Sequence, residues 1–354
     1  MSSPALPETL LGLVSHYSPS GAEQEAVDWL TARMSTLGYS RAFRDEAGNA
    51  VGVLGNGPRQ LVLLGHIDTV PGELPVHVSD GVLYGRGAVD AKGPLAAFVD
   101  AAAQAGAAPG WQIIVIGAVD EERESKGARA LVDQYRPEFS IIGEPNHWQR
   151  IALGYKGSAW AEIRVQCQQA HSASAAPTAC ESAFALWQAI QDFAAAYNST
   201  QVRAFDQVIP SLHGMNSGQD GFTQWARLQV GVRLPLPLST EQWYARLEAI
   251  AAGAEVSRIG CALPAWVCEK NSRLVRAFLG SIRAEGGTPA FVYKTGTADL
   301  NVVAPVWGCP ALVYGPGDSA LDHTPNEKLE LAEYAQSVAV LTGALKKITR
   351  DSPA

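Results

Sequence analysis

The 354-residue sequence predicts an α/β protein, a mixed and mainly parallel sheet flanked by helices, with an inserted α+β lid domain. Three observations carry this prediction. Short apolar runs at 61–64, 111–119, 139–142 and 311–314 each stop at a polar turn, as strands buried on both faces do. An alanine-rich helical stretch follows the glycine-rich turn at 85–93. From about Gly157 the pattern changes to longer alternating strands and two helices, and it reverts near residue 265. The expected division is therefore 1–156 for the first part of the main domain, 157–264 for the lid, and 265–354 for the second part.

Ala26, Val27, Leu30 and Met34 recur at the spacing of a helix that docks on a sheet, which leaves Glu23, Glu25 and Asp28 as a solvated face. The first buried strand closes in Gly65-His66-Ile67-Asp68, and a period of two puts His66 and Asp68 on one side. A metal-bound imidazole commonly donates its other N–H to a carboxylate, and Asp68 is placed to accept it. The turn Gly85-Arg86-Gly87-Ala88-Val89-Asp90-Ala91-Lys92-Gly93-Pro94 then enters a helix, with Pro94 at its first turn. It is not a dinucleotide loop, because Asp90 occupies the place of the third glycine and would face a pyrophosphate.

The run at 111–119 ends in Asp120-Glu121-Glu122, three adjacent acids that repel one another unless solvent or a cation offsets them. The run at 139–142 leads into Gly143-Glu144-Pro145 in the same manner, and the run at 311–314 leads toward Asp322-His323-Thr324-Pro325-Asn326-Glu327. Functional groups gather beyond the carboxyl ends of strands in open parallel sheets. Here those ends carry histidine and carboxylates, hard to borderline ligands that suit zinc, cobalt or manganese, in sufficient number for two ions.

The central segment reads as strand 159–167, helix 177–197, strands near 201–215 and 223–234, helix 239–253 and strand 255–263. That order, β-α-β-β-α-β, is a ferredoxin-like module. In its third strand Ala226, Leu228, Val230 and Val232 alternate with Trp225, Arg227, Gln229 and Arg233, so the first set is expected to be buried. Met215-Asn216-Ser217-Gly218 reads as a turn.

A net charge of −8 and the lack of a basic run argue against nucleic-acid binding. No stretch reaches the roughly 20 apolar residues a membrane span needs, and the first eight residues lack a signal-peptide core, so a cytoplasmic protein is expected. Five cysteines without a C-x-x-C indicate neither a disulfide framework nor a structural zinc knuckle.

The H-x-D, G-x-x-D-x-K-G, E-E and G-E-P stretches and His323 together resemble the di-zinc amidohydrolases and exopeptidases that include acetylornithine deacetylase, succinyl-diaminopimelate desuccinylase and glutamate carboxypeptidase, over essentially the whole chain. The resemblance implies a zinc exopeptidase-like main domain with two divalent ions, zinc or cobalt. It further implies that His66, Asp90 and Glu144 hold one ion, that Asp90, Glu122 and His323 hold the other, and that Glu121 is the general base. The family's lid dimerises, and its G-x-x-A-H-S stretch resembles Gln168-Gln169-Ala170-His171-Ser172. By that likeness His171 is an oxyanion donor reaching the other subunit of a homodimer. Asn216 and Arg233 match lid residues that contact substrate, with Arg233 as a fork for a carboxylate.

Lys294-Thr295-Gly296-Thr297-Ala298-Asp299-Leu300-Asn301 resembles a segment of the branch in which lysine or ornithine is released from the amino-group carrier protein LysW. The substrate implied is the carrier's terminal glutamate linked to lysine, with the product's carboxylate on Arg233 or Lys294 and its ammonium on Asp299. An acidic carrier further calls for a basic lip around Arg150, Lys156, Arg164 or Arg227. Two other readings stay open here: an N-acetyl-lysine or N-acetylornithine deacetylase acting on free small molecules, and a non-catalytic carrier- or peptide-binding module.

Overall fold

The computed structural model describes residues 6–350. The chain folds as two compact units: one comprises the residues up to Gly154, Cys268–Tyr293 and those from Ala298 onward, the other Tyr155–Val267 with Lys294–Thr297. The assignment of Lys294–Thr297 to the second unit has no signature in the hydropathy pattern, since four residues are too few to show a period.

The first unit is built on a mixed sheet. Its strands lie in the order Arg41–Arg44, Ala50–Leu54, Trp111–Ala118, Arg59–His66, Phe139–Gly143, Ala311–Val313 and Arg150–Tyr155. The four strands from Trp111–Ala118 to Ala311–Val313 pair in parallel, and their neighbours on either side are antiparallel. Leu61 through Leu64 and Ile113 through Ile116 are at most 1% exposed, as expected for strands covered on both faces. The helix Lys92–Ala105 packs beneath Arg59–His66 and against the last helix, Leu331–Arg350. Its alanines permit close approach to the sheet, and Pro94 sits in the first turn, where a missing N–H costs no intrahelical bond. The helix Gln24–Thr36 buries Ala26, Val27, Leu30 and Met34 as expected. Glu23 departs from expectation: it is 8% exposed, and its Oε1 accepts from the Gly21 amide at 2.8 Å, so it braces a turn and is not part of a solvated face.

The second unit is a four-stranded antiparallel sheet in the order Ile209–Gln219, Thr223–Leu234, Gly157–Gln168, Glu255–Leu263. Helices Ala179–Asn198 and Thr240–Ile250 share a core with one face of it, where Ile163, Leu228 and Val230 meet Ile190, Trp243 and Leu247. Full burial of each such side chain is worth roughly 1.5–3 kcal/mol. Both helices open with reciprocal capping boxes, Thr178 with Glu181 and Ser239 with Gln242. The expected turn at 215–218 is strand instead, and the reversal comes at Asp220-Gly221. There the Asp220 carboxylate accepts from the Phe222 and Thr223 amides at 2.9 and 2.7 Å, and Gly221 takes a φ of 92°. Gly218 is needed for packing, since a Cβ there would lie 2.6 Å from the Trp225 ring on the paired strand.

Candidate metal centre

The parallel register aligns the strand ends that carry the acids and imidazoles. His66 lies opposite Ala118, and Gly65 opposite Gly143, so Asp68, Glu121–Glu122 and Glu144 leave the sheet at one edge. Three residues of the loops around this edge, Asp120, Ser125 and His323, hold positive φ values of 65°, 52° and 62°. Non-glycine residues seldom adopt that conformation, and strained backbone of this kind clusters at functional sites.

His66 is 1% exposed; its Nδ1 donates to the Asp68 carbonyl at 3.0 Å and lies 3.5 Å from the Asp68 carboxylate. The shorter contact is thus to backbone, with the carboxylate expected as partner beside it. The Asp68 carboxylate is occupied elsewhere: Oδ1 accepts from the Glu121 amide at 3.0 Å, and Oδ2 from the Glu122 amide at 3.1 Å and the Ser20 hydroxyl at 2.7 Å. Asp68 therefore sets the pair of glutamates as well as the imidazole. Sequence reasoning gave it only the second task.

Across the site, His66 Nε2 lies 3.2 Å from Asp90 Oδ1, and His323 Nε2 lies 3.0 Å from both Asp90 Oδ2 and Glu122 Oε2. The two oxygens of Asp90 thus face two different imidazoles, as a bridging carboxylate requires. With Nδ1 of His66 donating to a carbonyl, a neutral ring turns its Nε2 lone pair toward another acceptor, and only a shared positive charge relieves that contact. Donor atoms of His66, Asp90 and Glu122 lie within 4.8 Å of one another, close enough for one ion. The donor set fits a pair of divalent cations: six carboxyls, on Asp68, Asp90, Glu121, Glu122, Glu144 and Asp299, surround two imidazoles.

Electrostatics agree with this reading. Burial pushes the Glu121 and Glu144 carboxyls well above their ordinary value, and the fields of neighbouring carboxylates add to it. Glu122 is raised by burial too. Burial opposes charge on His66, yet hydrogen bonds to Asp68 and Asp90 and the fields of Glu121 and Glu144 hold it well above its usual range. Hydrogen bonds to Asp90 and Glu122 push His323 up to about 10. Burial works against Asp90, but His323 and His66 outweigh it and keep that carboxylate ionised to low pH. Such a site retains protons when no other cation is present.

Other expected residues fall in different places. Glu144 is 8% exposed and acts on His66 through its field. Asp299 is 2% exposed, precedes the helix Leu300–Trp307, and lies among Ser125, Asp68 and His66. Burial pushes its carboxyl up to about 7. At 2% exposed it presents little surface to solvent. His171, Asn216, Arg233 and Lys294 belong to the second unit. His171 is exposed, and its Nδ1 accepts from the Ala173 amide at 3.1 Å, which leaves the proton on Nε2 as the ring's free donor. Asn216 is exposed on the edge strand opposite Arg227, and Arg233 Nη1 donates to Thr297 Oγ1 at 2.8 Å.

Lys156 cannot contribute to a basic lip. It is fully buried, and its ammonium donates to the Ala204 and Phe205 carbonyls at 3.2 and 3.0 Å and to that of Gln207. Arg227 is exposed, stacked 5.0 Å from the Trp225 ring and 3.9 Å from Glu162.

A partly parallel sheet whose carboxyl edge holds acids and imidazoles, joined to a β-α-β-β-α-β unit, defines a metal-dependent hydrolase of the exopeptidase type. The chain belongs to Peptidase family M20/M25/M40, whose sequence model matches residues 62–347. Among its relatives, the LysW-lysine hydrolase of Deinococcus radiodurans is 45% identical, with 96% of each chain covered. A putative LysW-lysine/LysW-ornithine hydrolase of Thermococcus kodakarensis is 38% identical over 96% of this chain and 91% of its own. The fold is similar to aminopeptidase PepT from Bacillus cereus, with a TM-score of 0.78 at 19% identity over 97% of this chain and 99% of that one. It is also similar to an M20 family metallo-carboxypeptidase from Sulfolobus solfataricus, with a TM-score of 0.77 at 16% identity over 97% and 99%.

Proposed function

We propose that this chain hydrolyses the amide bond joining lysine, and also ornithine, to the γ-carboxyl of the terminal glutamate of the carrier protein LysW, in the cytoplasmic synthesis of lysine and arginine. The placement of Glu121 carries the chemical half of the reading: it stands beside the donor set, held through its amide by Asp68. The 45% identity to a LysW-lysine hydrolase supports the substrate half.

In this reading His66, Asp90 and Glu144 would hold one divalent ion and Asp90, Glu122 and His323 the other, zinc or cobalt by donor type. When bound, the pair supplies Lewis-acid polarisation of the amide carbonyl and a water acidified toward neutrality. Glu121 accepts the proton of the attacking water at its carboxylate and returns it to the departing amine. His171, with its proton on Nε2, donates to the developing oxyanion in the site of a second copy, which makes the homodimer the active form. Arg233 or Lys294 binds the carboxylate of the released amino acid, and Asn216 touches substrate beside them.

Hydrolysis rates with LysW-linked lysine, free N-acetyl-lysine and N-acetylornithine test the assignment. The carrier-linked substrate is expected to react at least about 100-fold faster in kcat/KM, a difference of roughly 3 kcal/mol in transition-state binding. Equal or faster turnover of the free acyl amino acids would make the chain a small-molecule deacetylase.

A further inference from the structure

One buried carboxylate in the first unit has no part in the chemistry just described. Glu327 is 1% exposed and lies four residues beyond His323 on the same loop. Its Oε1 accepts from the Val89 and Asp90 amides, both at 2.9 Å, and its Oε2 accepts from Arg86 Nη1 at 2.9 Å. Arg86 is 7% exposed; the same Nη1 reaches the Thr324 carbonyl at 3.2 Å, and its Nε donates to the Gly72 carbonyl at 2.9 Å. Just beyond this pair the chains run together as strands, Lys328–Glu330 against Val82–Tyr84. The loop bearing Asp90 and the loop bearing His323 thus leave one strand pair, and Glu327 and Arg86 join them again at the level of the site.

We propose that Glu327, together with Arg86, is a positioning residue that fixes Asp90 and His323 relative to each other, so that both can grip the same cation. The inference rests on the reading of Asp90 and His323 as metal ligands. The Asp90 side chain can meet both imidazoles only if its backbone is held at one depth, and the two amides bound by Glu327 Oε1 belong to Asp90 and the residue before it. His323 is half exposed, and its ring meets Asp90 and Glu122 from a left-handed backbone that the loop after it must hold in place. Its restraint comes from Thr324 and Glu327, which Arg86 holds on either side of a short loop. Buried ion pairs are costly to desolvate, and one retained at this position fits a specifying role better than a stabilising one.

Chelator-stripped full-length protein, titrated with Co²⁺ alone and followed by calorimetry and visible absorption, tests this. Glu327→Gln keeps an oxygen for the two amides but removes the charge facing Arg86, and Arg86→Lys keeps the charge but loses the planar guanidinium whose Nη1 reaches Glu327 and Thr324 while its Nε holds Gly72. Each variant is expected to weaken the cobalt step that involves His323 by roughly 10–100-fold, and to alter the cobalt absorption bands, as changes behind a metal ligand do. His323→Ala and Asp90→Asn are run beside them. If these two lose cobalt while Glu327→Gln and Arg86→Lys bind it with native affinity and spectrum, the inference is overturned, whatever the variants do to urea stability. If His323→Ala and Asp90→Asn also bind natively, the ligand reading itself fails and the inference falls with it. Should Glu327→Gln not fold, Arg86→Lys decides by the same outcomes.

Discussion

Replacing Asp299 by Asn should make the metal-free protein more stable at pH 8 relative to wild type than at pH 5. Burial pushes the Asp299 carboxyl up to about 7 from an ordinary 3.8. Between those values the folded chain binds a proton that the unfolded chain has released, so stability falls as pH rises and levels off above the folded value. From pH 5 to about 7 the loss is two pH units at ~1.4 kcal/mol each, about 3 kcal/mol. Asparagine has the same shape and no charge to desolvate, so its variant escapes this loss. Urea denaturation of the chelator-stripped proteins at the two pH values measures it, and a relative gain below ~1 kcal/mol would refute the burial argument. A kinetic arm separates burial from substrate contact. A residue lying among Ser125, Asp68 and His66 should affect lysine, ornithine and neutral leaving groups alike, whereas selective damage to lysine substrates would restore Asp299 as the ammonium partner.

Other consequences follow from the same contacts. Asp68→Ala leaves the Glu121 and Glu122 amides and the Ser20 hydroxyl without their acceptor, so it should cost roughly 3–9 kcal/mol at about 1–3 per stranded donor, with Asp68→Asn milder; chemical denaturation checks this. The metal-free site holds extra protons, since His66 and His323 are both raised. Loading the ion pair should therefore release at least roughly two protons, and the combined affinity should fall at least about 100-fold for each pH unit lowered from 8 to 6; calorimetry in buffers of different ionisation heat counts the protons. Arg233→Ala should lower kcat/KM for LysW-lysine by roughly 10–100-fold, the worth of one charge-assisted hydrogen bond, and steady-state kinetics with the carrier substrate would reveal it.

The strand ends were legible in sequence because a buried parallel strand is an uninterrupted apolar run, and a polar group at its close has no structural reason to be there. His66, Glu122 and His323 were found that way, and the structure brings them to within hydrogen-bond distance of Asp90 or of one another. The second unit was legible because the pattern changes near Gly157 to longer strands and two helices, with Ala226, Leu228, Val230 and Val232 alternating on its third strand, and these four are buried. What escaped depends on contacts distant in sequence. Glu327 and Arg86 are 241 positions apart, and each alone reads as an ordinary charged loop residue. Lys156 follows a strand and looked like a surface cation, until the carbonyls of 204, 205 and 207 gathered around it. The Asn216 turn failed because the Asp220-Gly221 reversal, with its own side-chain acceptor, was the stronger turn a few residues later.

In the proposed reaction Glu121 moves the proton and does not bind metal. Glu121→Gln, assayed for bound metal and for hydrolysis of LysW-linked lysine, tests it most directly. Two ions per chain are expected, as in wild type, with turnover lowered by roughly 10²–10⁴-fold or more, the usual contribution of a general base. Wild-type turnover, or loss of an ion together with activity, would contradict it.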